Sequence, residues 1–78
     1  MITKTININS LDKIETFVDI INKFNGRFDL VSGCSIVNAK SIMAIFSLDI
    51  SRPVYLYIYN EDSADYVAKA LKDFEVNA

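Results

Sequence analysis

The apolar and polar positions of the chain follow a two-residue period at its start and a helical period soon afterwards. Ile2, Ile6 and Ile8 alternate with threonine and asparagine, which predicts a first β-strand. From Leu11 the apolar residues recur at three- and four-residue intervals, which predicts an amphipathic helix that ends near Gly26. The stripe of this helix comprises Leu11, Ile14, Phe17, Val18, Ile21 and Phe24.

The start of this helix carries two sets of capping residues. Asp12 stands three residues before Glu15 and fits a capping box, while Ser10 is the other candidate for the N-cap.

Two short strands follow around a tight turn. Arg27–Ser32 alternates between apolar and polar residues, and the pair Gly33 and Cys34 leads into Ser35–Val37. A glycine-containing turn of two residues between such segments is typical of a β-hairpin. The sequence therefore predicts that the second and third strands are antiparallel neighbours.

The last part of the chain contains two more helices and one strand. Ser41–Leu48 reads as a short apolar helix with Ser41 at its N-cap or in its first turn, and Val54–Tyr59 is the clearest strand of the chain. Asn60–Ser63 supplies capping residues for a final helix. The apolar stripe of that helix is Val67, Ala68, Leu71 and Phe74.

The predicted order of elements is β-α-β-β-α-β-α. One sheet with the helices on one face buries every apolar stripe, so we expect an α+β open-faced sandwich. Its sheet would have four strands, mostly antiparallel, with three helices on one face and water on the other. We expect residues 1–78 to form a single domain.

Composition narrows the range of functions. The formal net charge is −2, which argues against a nucleic-acid partner, and the chain has no histidine and one cysteine. We therefore expect no imidazole base, no metal site, no cofactor and no enzymatic activity. A lone cysteine, a start that does not resemble a signal peptide and the lack of a long apolar run favour a cytoplasmic protein without a membrane segment.

The segment Asn38–Leu48 contains the run Lys-Ser-Ile-Met, followed after three residues by Ser-Leu. It resembles the regulatory-serine segment of HPr, the small phosphocarrier of the bacterial sugar phosphotransferase system, and most closely that of Gram-positive bacteria. The predicted order of elements also fits this family along essentially the whole chain. The resemblance implies the HPr-like open-faced β-sandwich.

HPr proteins carry phosphate on a histidine just before the first helix, and the resemblance places Ser10 at that position. Asp12 falls on the position of an arginine that helps to hold the phosphate. A serine ester is far more inert than a phosphohistidine, and Asp12 adds a negative charge where phosphate needs a positive one. We therefore expect that these residues cap the first helix and that the chain is not a histidine phosphocarrier.

The resemblance also implies a regulatory role for Ser41. In HPr an ATP-dependent kinase phosphorylates the matching serine, and the phosphoprotein then binds a transcription regulator that switches catabolite genes. Lys40 adds a neighbouring positive charge, and Ile42, Met43 and Phe46 would form an apolar docking patch. The alternative is that Ser41 is an ordinary N-cap and that these apolar residues belong to the core.

Tyr55, Tyr57 and Tyr59 alternate with aliphatic residues, so we expect them on the face of the sheet away from the helices. One interpretation is cross-strand packing. The other is a second interaction face, which would make the protein a non-phosphorylated interaction module or a homodimer. The acidic balance of the chain argues against RNA on this face.

Overall fold

The computed structural model describes residues 1–76 and places the predicted elements in the predicted order. The strands are β1 (Ile2–Ile6), β2 (Phe28–Ser32), β3 (Ser35–Asn38) and β4 (Val54–Ile58). The helices are α1 (Leu11–Ile21), α2 (Ile42–Ile45) and α3 (Glu61–Ala70), followed by a 3₁₀ turn at Lys72–Phe74. Among these residues, no helix is long and apolar enough to cross a membrane.

The four strands form one sheet in the order β1-β4-β2-β3, and every neighbouring pair is antiparallel. β2 and β3 are joined by the predicted hairpin, whose closing pair is Ser32 and Ser35. Gly33 has φ +60°, a left-handed value that is strained for any residue with a Cβ. Glycine at the first central position is what a type II′ hairpin turn requires.

The hydrophobic core lies between one face of the sheet and all three helices. Strand residues on this face pack against side chains of α1, α2 and α3 in one continuous cluster. Phe17 of α1 is fully buried, and its ring meets that of Phe74 edge to face, with centroids 6.3 Å apart. The predicted α+β fold, with three helices on one face of a four-stranded antiparallel sheet, is confirmed.

Some boundaries differ from the prediction. The first strand ends at Ile6, and Ile8 lies beyond it although it is fully buried. α2 has four residues rather than the eight of Ser41–Leu48, because the bonds from Ser47 and Leu48 span three residues and tighten the chain into a 3₁₀-like turn. β2 begins one residue later and β4 ends one residue earlier than predicted, whereas β3 extends to Asn38.

The ends of the helices also differ from the predicted caps and apolar stripes. Ser10 is the N-cap of α1, and Asp12 lies in the first turn instead of serving as the cap. Leu11 is exposed at the start of α1, whereas Phe24 lies beyond its end and is half-buried. Leu71 and Phe74 are buried as predicted, although they follow the last residue of α3.

The two edges of the sheet differ. The C-terminal segment covers the β1 edge, where the Val76 amide donates to the Thr5 carbonyl and the Asn7 amide donates to the Phe74 carbonyl, both at 2.8 Å. In residues 1–76 no segment pairs with the outer side of β3. Within the described part of the chain, the sheet therefore has one covered edge and one free edge.

Candidate functional site

Ser41 sits at the junction between β3 and α2. Its Oγ accepts a hydrogen bond from the Ala44 amide at 3.3 Å, which makes it the N-cap, and its own amide donates to the Asn38 carbonyl at 3.1 Å. The side chain of Asn38 in turn accepts from the Lys40 amide at 2.9 Å. These bonds fix the turn before α2 and leave Ser41 half-buried at its N-terminus.

The apolar residues beside Ser41 are divided between core and surface. Ile42 is half-buried against the core, and Ile45 is fully buried. Met43 and Phe46 point outward, with 77% and 48% of their surface exposed. We refer to Met43 and Phe46 as the α2 patch, because these two large apolar side chains are exposed within five residues of Ser41.

Lys40 has structural partners of its own. Its ammonium donates to the Phe24 carbonyl at 2.6 Å and lies 5.5 Å from the centroid of the Phe28 ring. The charge therefore helps to hold the segment before α2 against β2 and the end of α1. Lys40 neighbours Ser41 in sequence, but its ammonium is bound to Phe24.

Ser10 and Ser41 lie toward opposite ends of α1. Ser10 is exposed, and its Oγ accepts from the Lys13 amide at 3.3 Å. Asn22, which caps the other end, approaches the Lys40 carbonyl with its side-chain amide at 3.5 Å. A helix of this length spans about 16 Å. The fold therefore does not bring the two serines together into one site.

The three tyrosines occupy the face of the sheet opposite the helices. Tyr55 and Tyr59 are exposed and Tyr57 is half-buried, and Tyr59 lies one residue beyond the end of β4. The strand registers place Tyr55 beside Val31 and Tyr57 beside Asp29. The predicted location of the tyrosines away from the helices is thus observed.

A polar cluster on this face was missed by the sequence reasoning. The Tyr59 hydroxyl donates to Asp29 Oδ2 at 2.9 Å, and Arg27 Nη2 lies 3.1 Å from the same oxygen. The Arg27 guanidinium also stacks over the Tyr59 ring, 4.9 Å from its centroid. Asp29 is buried, and these partners compensate its charge. The one available signal was a carboxylate within an apolar strand.

The hydrogen bond to Asp29 raises the pKa of Tyr59, with further contributions from burial and from the Asp29 charge. Loss of the phenolic proton removes the donor and places two negative charges side by side. We predict that Asp29→Asn lowers the pKa of Tyr59, which a pH titration of its ring signals by NMR would measure.

The sign of the pH effect follows from the raised pKa of Tyr59. A group with a raised pKa stabilises the fold below its ordinary pKa of about 10, and this contribution is lost as the pH rises through the folded-state pKa. Wild-type stability should therefore fall more steeply than that of Asp29→Asn above about pH 10. An unchanged Tyr59 titration in Asp29→Asn would contradict this assignment.

The remaining candidates for chemistry are few. Cys34 is exposed at the hairpin turn and forms no disulfide. In the range 1–76, no group of three or more histidine, cysteine, aspartate or glutamate side chains is arranged to hold a metal ion. The arrangement around Ser41 consists of a half-buried N-cap hydroxyl and the exposed apolar side chains of Met43 and Phe46.

Solved structures that are similar to this chain include two HPr proteins. One is the crystal structure of HPr-C-His from Thermoanaerobacter tengcongensis, with 31% sequence identity, a TM-score of 0.78, and coverage of 94% of this chain and 89% of that one. The other is a phosphocarrier protein HPr from Bacillus anthracis str. Ames, at 23% identity and a TM-score of 0.69, with 96% of each chain covered. The second likeness bears on the fold alone. No protein-family model and no curated protein sequence matches the chain.

Proposed function

The chain belongs to the HPr family, and on that premise we propose that it is a regulatory member switched by phosphorylation of Ser41 rather than a histidine phosphocarrier. The sequence contains no histidine. Ser10 caps α1 and Asp12 lies in its first turn, and the resemblance matches them to the family's phosphohistidine and to an arginine that helps to hold the phosphate. Neither residue supplies a nitrogen nucleophile for phosphate transfer.

The observation that carries the proposal is the exposure of Met43 and Phe46 beside the N-cap serine of α2. A docking partner that buries these side chains would hold the Ser41 hydroxyl at its own active site. Once formed, a phosphate of about −2 charge would meet the free amides of the first turn of α2. It would also place negative charge beside the apolar surface, so that a second partner can distinguish the phosphorylated form from the unmodified one.

We propose two partners, both proteins. An HPr-type serine kinase would use ATP to modify Ser41, and a transcription regulator of carbon catabolite genes would bind the phosphorylated form. Lys40, Ile42, Met43 and Phe46 are the proposed docking residues, with Met43 and Phe46 contributing most of the accessible surface. The protein would act in the cytoplasm, without a cofactor and without catalysing a reaction itself.

The test is phosphorylation by a Gram-positive HPr serine kinase with ATP, read by intact mass. We expect one phosphate on the wild type and none on Ser41→Ala. Ser47→Ala is the matched control, because Ser47 lies at the other end of α2 and its hydroxyl donates to the Ala44 carbonyl at 2.6 Å. It should accept one phosphate like the wild type.

A wild-type chain that takes no phosphate would refute this proposal. The second candidate function is then a non-phosphorylated interaction module that uses the face of Tyr55, Tyr57 and Tyr59. The observation that favours it is the exposure of Tyr55 and Tyr59 on a sheet face that no helix within residues 1–76 covers.

A further inference from the structure

The loop between α1 and β2 contains the single asparagine–glycine pair of the sequence, Asn25 and Gly26. Gly26 has φ +109°, and a Cβ at this position would lie 3.4 Å from the Cβ of Asn60. The turn from α1 into β2 therefore favours glycine, because other residues are strained at this φ. The same glycine leaves its own backbone nitrogen without a neighbouring Cβ, so the asparagine side chain can approach that nitrogen without hindrance.

The peptide bond between Asn25 and Gly26 is exposed and lies between two tethered residues. The Phe24 carbonyl accepts from the Lys40 ammonium at 2.6 Å, and the Arg27 carbonyl accepts from the backbone amide that follows β4 at 3.4 Å. Within the described part of the chain, no hydrogen bond uses the Gly26 amide or the Asn25 side chain. Both residues also lie outside every helix and strand. No hydrogen bond or regular element therefore holds the side-chain amide and the backbone nitrogen apart.

We propose that Asn25 is a site of deamidation, in which the Gly26 nitrogen attacks the side-chain carbonyl carbon of Asn25. The new N–Cγ bond closes a cyclic succinimide, the Cγ–Nδ2 bond breaks, and ammonia leaves with the proton that the Gly26 nitrogen gives up. Water then opens the imide at either of its two carbonyls. Cleavage of the N–Cγ bond gives aspartate, whereas cleavage at the main-chain carbonyl gives isoaspartate. Overall, water is consumed, ammonia is released, and a neutral amide becomes a carboxylate.

The product alters both the charge and the backbone of the loop. The new carboxylate adjoins Gly26, which lines a groove of about 460 Å³ together with Arg27 and Lys40. In the isoaspartate form the main chain also gains a methylene directly after Phe24, whose carbonyl binds Lys40. Because Lys40 precedes the N-cap Ser41, the change reaches the turn before α2. The modification needs no kinase and does not depend on phosphorylation of Ser41.

The first experiment follows the reaction by peptide mapping after the folded protein has been incubated at mildly alkaline pH. Trypsin releases Asn25 in the peptide 24–27, and it releases Asn9, which precedes Ser10, in the peptide 5–13. We expect aspartate and isoaspartate to form at Asn25 at least about tenfold faster than at Asn9, because Ser10 carries a Cβ next to the attacking nitrogen. A sample that has not been incubated corrects for deamidation during digestion.

Two controls separate the loop from the bare sequence. Asn25→Gln keeps the amide but lengthens the side chain, so ring closure slows and the peptide 24–27 should stay unmodified. The same incubation in urea removes the fold, and the rate at Asn25 should change by less than about threefold, as expected for an exposed loop that opens at almost no cost. The proposal is overturned if Asn25 persists in the folded chain but reacts in urea, or if it reacts no faster than Asn9.

The second experiment tests the effect on the turn before α2. Ion exchange separates the deamidated chains from the parent, because each carries an additional negative charge. Asn25→Asp is the matched control, since it reproduces the charge without the added methylene. The deamidated fraction should show a second set of backbone amide NMR signals at Lys40 and Ser41 that Asn25→Asp lacks. Identical signals in the two samples would overturn the inferred effect on this turn.

Discussion

Replacement of Phe17 by alanine is expected to remove a large part of the free energy that keeps this chain folded. Phe17 is fully buried, and its ring lies against Phe74 at an interplanar angle of 75°. Truncating a buried phenylalanine costs about 3–5 kcal/mol through lost transfer energy and the cavity left behind. A chain of this size has a total stability of only about 4–12 kcal/mol. Urea unfolding followed by circular dichroism would measure the loss.

Phe46→Ala provides a matched control for this experiment. It removes the same atoms from an exposed position directly after α2, so its urea midpoint should move little. Phe74, whose ring contacts Phe17, belongs to the segment that covers the β1 edge, where its carbonyl accepts from the Asn7 amide. Equal midpoints for Phe17→Ala and the wild type would show that this contact does not support the fold.

The order of elements could be predicted because the spacing of the apolar residues changes between two residues in the strands and three to four residues in the helices. β4 alternates strictly, since one of its faces packs under the helices and the other faces water. β2 does not: Asp29 and Val31 are buried although they lie on the face away from the helices. Their cover comes from neighbouring strands and from Arg27 and Tyr59. A period within a single strand carries no information about such cross-strand neighbours.

The candidate site was only partly predictable for a related reason. Ser41 as an N-cap follows from local chemistry, and the structure places it there. Residues 42–46 are all apolar, so no pattern within them can tell which ones face the core. The packing of α2 against the rest of the protein decides that Ile45 is buried and Met43 exposed. The bond from Lys40 to the Phe24 carbonyl likewise depends on the folded chain.

The α2 patch leads to the second large expected effect, which concerns recognition rather than folding. A double variant with Met43→Asp and Phe46→Asp should be phosphorylated at Ser41 by the HPr serine kinase at least about tenfold less efficiently, measured as kcat/KM. Both side chains are exposed, so their loss removes apolar contact area from the kinase without opening a cavity in the core. Urea unfolding should confirm that the variant is folded.

The controls separate apolar contact from charge and from general surface effects. Tyr66→Asp places a negative charge at a side chain that is 68% exposed on α3, and it should leave kcat/KM at the wild-type value. Met43→Gln keeps the length of the side chain and adds no charge, so it isolates the apolar contribution. If the double variant stays folded and is phosphorylated as fast as the wild type, the kinase approaches Ser41 from another direction. Met43 and Phe46 would then be exposed for a different partner, and the regulator that reads the phosphoserine would be the next protein to test.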